Sequence, residues 1–205
     1  MHEESLTEQA SNLFHCFAKL KGFYLVGGTA LALQIGHRLS VDFDLFSSEE
    51  LPPNLLQRIK RTFPNSSIAV TYRATEQLNV LIDNIKTTFF HYNYPVIDPF
   101  VSHEGVPLAS IREIAAMKAF AVGKRLSYKD YIDWYVLLKE GYVKLDDIIA
   151  FCRKRFGNDF NDRLFLGQLA SLEDIPTQKI DFLRDAVDRA AVQRFLETTI
   201  QNFGL

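Results

Sequence analysis

The stretch Gly27-Gly-Thr-Ala-Leu-Ala-Leu-Gln-Ile-Gly-His-Arg-Leu-Ser-Val-Asp-Phe-Asp-Leu-Phe46 decides the fold of this chain. The apolar run before it, residues 23–26, predicts a short buried strand that ends at a glycine pair. Residues 29–35 then predict a short helix, and residues 41–46 predict a second strand. The order of strand, glycine pair, helix and strand favours a fold that mixes helices with a sheet.

Two carboxylates stand on the second predicted strand. Asp42 and Asp44 lie two residues apart, so their side chains point to one face of the sheet while Phe43 points to the other. Like charges held so close are unfavourable unless a cation neutralises them. Hard divalent cations prefer oxygen ligands of this kind. A metal site is one interpretation, and the solvated face of an edge strand is the simpler one.

The glycine pair Gly27-Gly28 can also be interpreted in two ways. Glycines let the backbone approach a phosphate closely, and the N-terminus of the helix that follows offers N–H groups to an anion. A simple tight turn explains the pair equally well. In either case we expect Thr29 or Gly28 to cap the helix.

The remaining pattern predicts an α+β protein with a small mixed sheet. We expect a helix over 6–21. A second helix over 49–62 would be capped by Ser48 and would carry two prolines in its first turn. Three strands follow, over 68–73, 77–82 and 86–92, and Asp83-Asn84 forms a tight turn between the last two.

From Ser110 onward the chain reads as helices, broken near Ser127, Gly141, Gly157 and Pro176. We therefore predict an α/β core over 1–108 and a helical C-terminal bundle over 109–205 that packs on the core.

Composition narrows the class of protein. The chain has 205 residues, of which 47% are hydrophobic and 23% charged, typical of a globular protein. Its net charge of −2 gives no global attraction to nucleic acid. No apolar run is long enough to span a bilayer, and the N-terminus lacks the pattern of a secretion signal. Cys16 and Cys152 form no motif, so we expect reduced thiols in a cytoplasmic protein. The histidines and cysteines show no zinc spacing.

The glycine pair, thirteen further residues and the triplet Asp42-Phe43-Asp44 together resemble the signature of the DNA polymerase β-like nucleotidyltransferase superfamily. The longer stretch 27–46 is similar, more narrowly, to the AbiEii/AbiGii toxin family. A second block, Met117-Lys-Ala-Phe-Ala-Val-Gly-Lys-Arg125 followed by Lys129-Asp-Tyr-Ile-Asp133, resembles later motifs of that family.

The resemblance implies an enzyme that moves a nucleoside monophosphate from an NTP to an acceptor with Mg²⁺ or Mn²⁺. It implies a toxin paired with an antitoxin, or a phage-defence component, and acceptors such as the ends of tRNA. Asp42 and Asp44 would hold the metal. The candidates for contact with the nucleotide are Gly27, Gly28, Thr29, Arg38, Lys118 and Arg125. His37 either contacts substrate or lies in a surface loop.

The second block also has a physical interpretation. Ser110 and Glu113 have the spacing of a capping box, so a helix should begin there. Lys118 falls on the apolar stripe of that helix. Its side chain either reaches solvent past apolar neighbours or, as the resemblance favours, contacts the NTP phosphates in a cleft.

A second capping box, Ser127 to Asp130, offers a purely structural role for Asp130 at a helix start. Asp133 shares its helix face one turn later. We expect Asp130 or Asp133 to orient Lys118 or Arg125, or to contact the acceptor. The cluster Lys124, Arg125 and Lys129 forms either a basic patch for phosphate or RNA, or a solvated face.

One position departs from the superfamily pattern, which usually has a third carboxylate on a later strand. Thr87 or Thr88 stands there, and a hydroxyl is a poor metal ligand and no general base. Asp98 or Asp133 could supply the base instead. The alternatives are a slow enzyme, a module that binds nucleotide or a partner without catalysis, and a transferase acting on a small molecule.

Overall fold

The computed structural model describes residues 1–122 and 127–203. The chain forms two compact units, Met1–Ser110 and Ile111–Leu205, whereas the sequence places the change between residues 108 and 109. No helix in the part of the chain that is described is long and apolar enough to cross a membrane.

The first unit is built on one mixed seven-stranded sheet with the strand order β3-β4-β5-β2-β1-β7-β6. The strands are β1 Tyr24–Val26, β2 Phe43–Ser47, β3 Ile68–Arg73, β4 Gln77–Ile82, β5 Ile85–His91, β6 Val101–His103 and β7 Val106–Leu108. Its α-helices are α1 Glu8–Phe14, α2 Gly27–Ile35 and α3 Leu55–Thr62. In the centre β2 runs antiparallel to β1 and parallel to β5, which confirms the predicted α+β class.

The hairpin between β4 and β5 confirms the predicted turn. Asp83 and Asn84 both have positive φ, 48° and 66°, as the two central residues of a type I′ hairpin turn require. The pair β6 and β7 is absent from our prediction. Each has only three residues, too few for an alternating pattern to stand out.

Three predicted helices have wrong bounds, and the one predicted over 29–35 begins two residues earlier, at Gly27. The helix predicted over 6–21 begins at Glu8, where Thr7 caps it, and continues after Phe14 as a 3₁₀ turn. The helix predicted over 49–62 begins only at Leu55, without a Ser48 cap. The reason is that a residue before proline is pushed towards extended backbone, and two consecutive prolines delay the start.

The second unit is helical, as predicted. Its helices are α4 Ile111–Ala121, α5 Tyr128–Lys139, α6 Leu145–Phe156, α7 Asp162–Ala170 and α8 Arg189–Phe203. Trp134 of α5 is fully buried, and its ring contacts that of Phe165 of α7 with centroids 5.2 Å apart. This contact packs α7 against α5.

Candidate functional site

Strand β2 presents the two candidate carboxylates on its more open face. Phe43 and Leu45 are buried in the core at 0% and 1% exposure, whereas Asp44 between them is partly exposed. Asp42 immediately precedes the strand and is exposed. The predicted alternation is therefore present, although the strand begins one residue after Asp42.

Gly27 makes room for the Asp44 carboxylate. Strand β1 pairs with β2 so that Val26 lies opposite Asp44, and α2 begins at the next residue. A Cβ atom on Gly27 would lie 2.6 Å from Oδ2 of Asp44, closer than real side chains approach. Gly27 also has φ +71°, a conformation that other residues adopt only at a cost.

Gly28 makes room for a guanidinium. A Cβ atom there would lie 2.5 Å from Nη2 of Arg38, a side chain only 3% exposed. Because the two glycines lack side chains, one acidic and one basic side chain can lie beside the start of α2. The neighbouring His37 is 2% exposed, so its placement in a surface loop is wrong.

Thr29 does not cap α2. The N-cap is Val26, which makes no side-chain cap hydrogen bond. The hydroxyl of Thr29 instead lies 2.8 Å from Oγ of Ser40 and donates a hydrogen bond to the backbone carbonyl of Asp42. The predicted cap is wrong because α2 begins at Gly27, two residues before Thr29, and the Thr29 hydroxyl binds the backbone that leads into β2.

Strand β5 decides between the two threonines. In the parallel pairing, Phe43 lies beside Thr87 and Asp44 beside Thr88. Thr87 is buried at 0% exposure, while Thr88 is partly exposed on the same face as Asp44. Thr88 is therefore the residue that stands next to the acids. No group of three His, Cys, Asp or Glu side chains able to hold a metal occurs among the described residues.

Asp42 and Asp44 match the ligand chemistry of Mg²⁺ or Mn²⁺. Magnesium in nucleotide sites is commonly held by one or two carboxylates, with phosphates and water completing the octahedron. The space that Gly27 leaves for the carboxylate of Asp44 would be lost with any larger residue. The residues present thus fit one cation held together with a phosphate-bearing ligand.

In the second unit, Lys118 lies between two carboxylates. Its Nζ is 2.7 Å from Oδ1 of Asp130 and 2.6 Å from Oδ2 of Asp133. All three side chains are at most 5% exposed. Asp130 and Asp133 thus both pair with Lys118, and their role in orienting it for a substrate stays a prediction. The alternative in which Lys118 reaches solvent does not agree with this geometry.

Both predicted capping boxes mark real helix starts, and the acid of each also forms a buried ion pair. The Ser127 side chain makes no cap hydrogen bond, and Asp130 binds Lys118. Glu113 forms a buried ion pair with Arg155, both 0% exposed. The pair between Glu113 and Arg155 went unnoticed in the sequence because 42 residues separate the partners and no local pattern marks it.

The remaining candidates are Lys124, Arg125, Lys129 and Asp98. Arg125 and Lys124 lie outside the described residues, and Lys129 is exposed. Asp98, the alternative base, is partly buried and accepts a hydrogen bond from Oγ of Ser110 at 3.2 Å. The basic patch stays a prediction.

Comparison with known proteins identifies the family. The model of the nucleotidyl transferase AbiEii toxin family, described as a Type IV toxin–antitoxin system, matches residues 13–203. Uncharacterized protein aq_aa25 of Aquifex aeolicus (strain VF5) is 35% identical over 156 residues, 74% of each chain.

Two solved structures from Helicobacter pylori share the fold. A proposed nucleotidyltransferase is 21% identical with a TM-score of 0.62, covering 96% of this chain and 95% of that one. JHP933 is 22% identical with a TM-score of 0.62, covering 96% and 92%. The chain shares the fold of these two structures, and it belongs to the AbiEii family of nucleotidyl transferase toxins.

Proposed function

We propose that this protein is a metal-dependent transferase that moves a nucleoside monophosphate from an NTP to an RNA acceptor, with tRNA the first candidate. The observation that carries the proposal is the pair Asp42 and Asp44 at the start of β2, with Gly27 leaving space for the second carboxylate. Family membership supports transfer of a nucleotide.

The start of α2 supplies the phosphate site. Its N-cap residue Val26 makes no side-chain cap hydrogen bond, and N–H groups at a helix N-terminus commonly bind anions. The guanidinium of Arg38 lies against Gly28 in the first turn, where it adds positive charge beside the same phosphates. Gly28 thus contributes to nucleotide binding because it leaves space for the Arg38 side chain.

Asp42 and Asp44 would hold Mg²⁺ or Mn²⁺, which supplies charge neutralisation of the phosphates and of the leaving group. The reaction joins the acceptor hydroxyl oxygen to the α-phosphorus of the NTP and breaks the bond to the bridging oxygen. Pyrophosphate leaves, and the hydroxyl proton passes to solvent. Thr88 cannot take that proton at neutral pH, which would make the transfer slow.

Lys118 is proposed as the phosphate contact contributed by the second block. An ammonium has three N–H bonds, and two of them are directed at Asp130 and Asp133. The third could donate to a phosphate oxygen. Asp130 and Asp133 are then positioning residues, and the burial of Asp133 argues against its role as the base.

The Type IV toxin–antitoxin description of the family supports a toxin role with an antitoxin partner. The test is incubation with each labelled NTP, Mg²⁺ and total tRNA, and the products are resolved by size. Wild type should label RNA, and Asp42→Asn and Asp44→Asn should not. Equal labelling by wild type and both variants would refute the proposal. Label on a small acceptor would redirect it to that substrate class.

The second candidate function is nucleotide binding without turnover, and Thr88 beside Asp44 is the observation that favours it. Calorimetry separates the two. Heat from Mg²⁺–NTP binding that depends on Asp44, with no transfer to any acceptor, would favour the binding module.

A further inference from the structure

A row of aromatic rings begins on the same sheet face as Asp44 and continues past the end of β5. We call Phe46, Phe90, Tyr92 and Tyr94 the aromatic row. The ring centroids of Phe46 are 5.2 Å from those of both Phe90 and Tyr92, and Tyr92 is 5.3 Å from Tyr94. The rings therefore form one connected surface.

This surface is not part of the core of the first unit. The core face of the same two strands carries Phe43, Leu45 and Phe89, each at most 1% exposed. All four residues of the aromatic row are partly exposed. The open face of a sheet is usually polar, so contiguous rings on it indicate a binding surface.

The aromatic row continues directly from the candidate carboxylates. Phe46 follows Asp44 by two residues, a rise of about 7 Å along the strand. On the neighbouring strand Phe90 pairs with Phe46, just as Thr88 pairs with Asp44. At the other end of β5 lies Lys86, which is exposed. Along this face a lysine side chain is thus followed by carboxylates and then by aromatic rings.

We propose that the aromatic row stacks unpaired nucleobases of the acceptor strand, so that the free end of a single-stranded RNA lies over Asp44. The inference rests on the proposed function and names its substrate class. Stacking on aromatic side chains is a common way to hold single strands and tolerates any base. A net charge of −2 provides little overall attraction to an RNA backbone, so stacking on the rings should supply a large share of the affinity. Binding should therefore depend only weakly on salt.

The experiment uses the full chain and a short single-stranded RNA with a fluorescent adenine analogue at its free end, without NTP. Wild type should quench the analogue. Phe46→Leu and Phe90→Leu should each weaken binding about tenfold. Phe90→Tyr keeps a ring and should retain binding, which guards against loss through misfolding. Phe203→Leu removes an exposed ring in the second unit and should bind like wild type.

Asp44→Asn separates this inference from the proposed function, because it removes a metal ligand and leaves the rings. Quenching by Asp44→Asn together with loss of transfer supports both ideas. Quenching by wild type without transfer to any acceptor would sink the proposed function alone. If wild type does not quench the analogue, or if the two Leu variants bind the RNA as wild type does, the aromatic row is not a stacking surface. Capture of a protein by the same rings would then be the alternative.

Discussion

Oδ2 of Asp44 lies 2.6 Å from the position that a Cβ atom would occupy on Gly27. The glycine signature and the carboxylate signature are therefore one steric unit, although sixteen residues lie between them in sequence. Gly27 is required here mainly because it has no side chain to collide with the Asp44 carboxylate, and less because of its flexibility.

Gly27→Ala should consequently abolish transfer while leaving the protein folded. The new methyl group must displace the Asp44 carboxylate, and φ +71° adds about 1–2 kcal/mol of backbone strain. The measurement is label transfer together with the free energy of unfolding in urea.

Gly141→Ala is the matched control. Gly141 has φ +72° but no heavy atom within 4 Å of its added Cβ, so it carries the strain without the collision. It should lose similar stability and keep transfer. Full activity in Gly27→Ala would show that the Asp44 carboxylate need not occupy its observed position.

Thr88→Asp should raise the transfer rate by about tenfold or more, since a positioned base or additional metal ligand contributes at least that much. The new carboxylate would stand beside Asp44 on the open face of β5. The like charges repel until a cation binds, so Mg²⁺ should raise the melting temperature of Thr88→Asp more than that of wild type.

Thr88→Asn, which adds an amide of similar size, should give neither effect. A rate for Thr88→Asp no higher than that of Thr88→Asn would mean that the third acid does not limit the reaction.

Local sequence pattern predicts some features of this fold and fails to predict others. The turn at Asp83-Asn84 was predictable because both residues tolerate positive φ between two alternating strands. The late start of α3 was missed because Pro at a first helical turn is permitted as well as disruptive. Strands β6 and β7 gave no signal because three residues show no periodicity.

The candidate site likewise has some features that local sequence pattern predicts and others that it does not. The position of Asp44 on the face opposite Phe43 and Leu45 was predictable because side chains alternate along a strand, whereas Asp42 lies just before β2. The contact between Gly28 and Arg38, and the hydroxyl of Thr29 on the Asp42 carbonyl, depend on the path of the chain from α2 to β2. The spacing from Ser127 to Asp130 predicted a cap, but a buried lysine competes more strongly for that carboxylate.

Lys118→Met should destabilise the protein by about 3–5 kcal/mol, because it leaves Asp130 and Asp133 buried without their cation. The triple variant Lys118→Met/Asp130→Asn/Asp133→Asn removes all three charges and should recover most of that loss in urea unfolding. If Lys118 also contacts phosphate, the recovered triple variant stays inactive. Transfer at the wild-type rate would restrict Lys118 to a structural role.

The two thiols should react at very different rates. Burial raises the pKa of Cys152 to about 12, with Arg155 opposing the shift and Glu113 adding to it. Only a thiolate is nucleophilic, so at about pH 8 native Cys152 should resist alkylation while the partly exposed Cys16 is labelled. Unfolding in urea should expose both. Because the folded pKa is raised, stability should also fall as pH rises above about 8.5, where only the unfolded chain releases the proton. Rapid labelling of a native Cys16→Ser variant would show that α6 opens and that Cys152 is not held in a closed core.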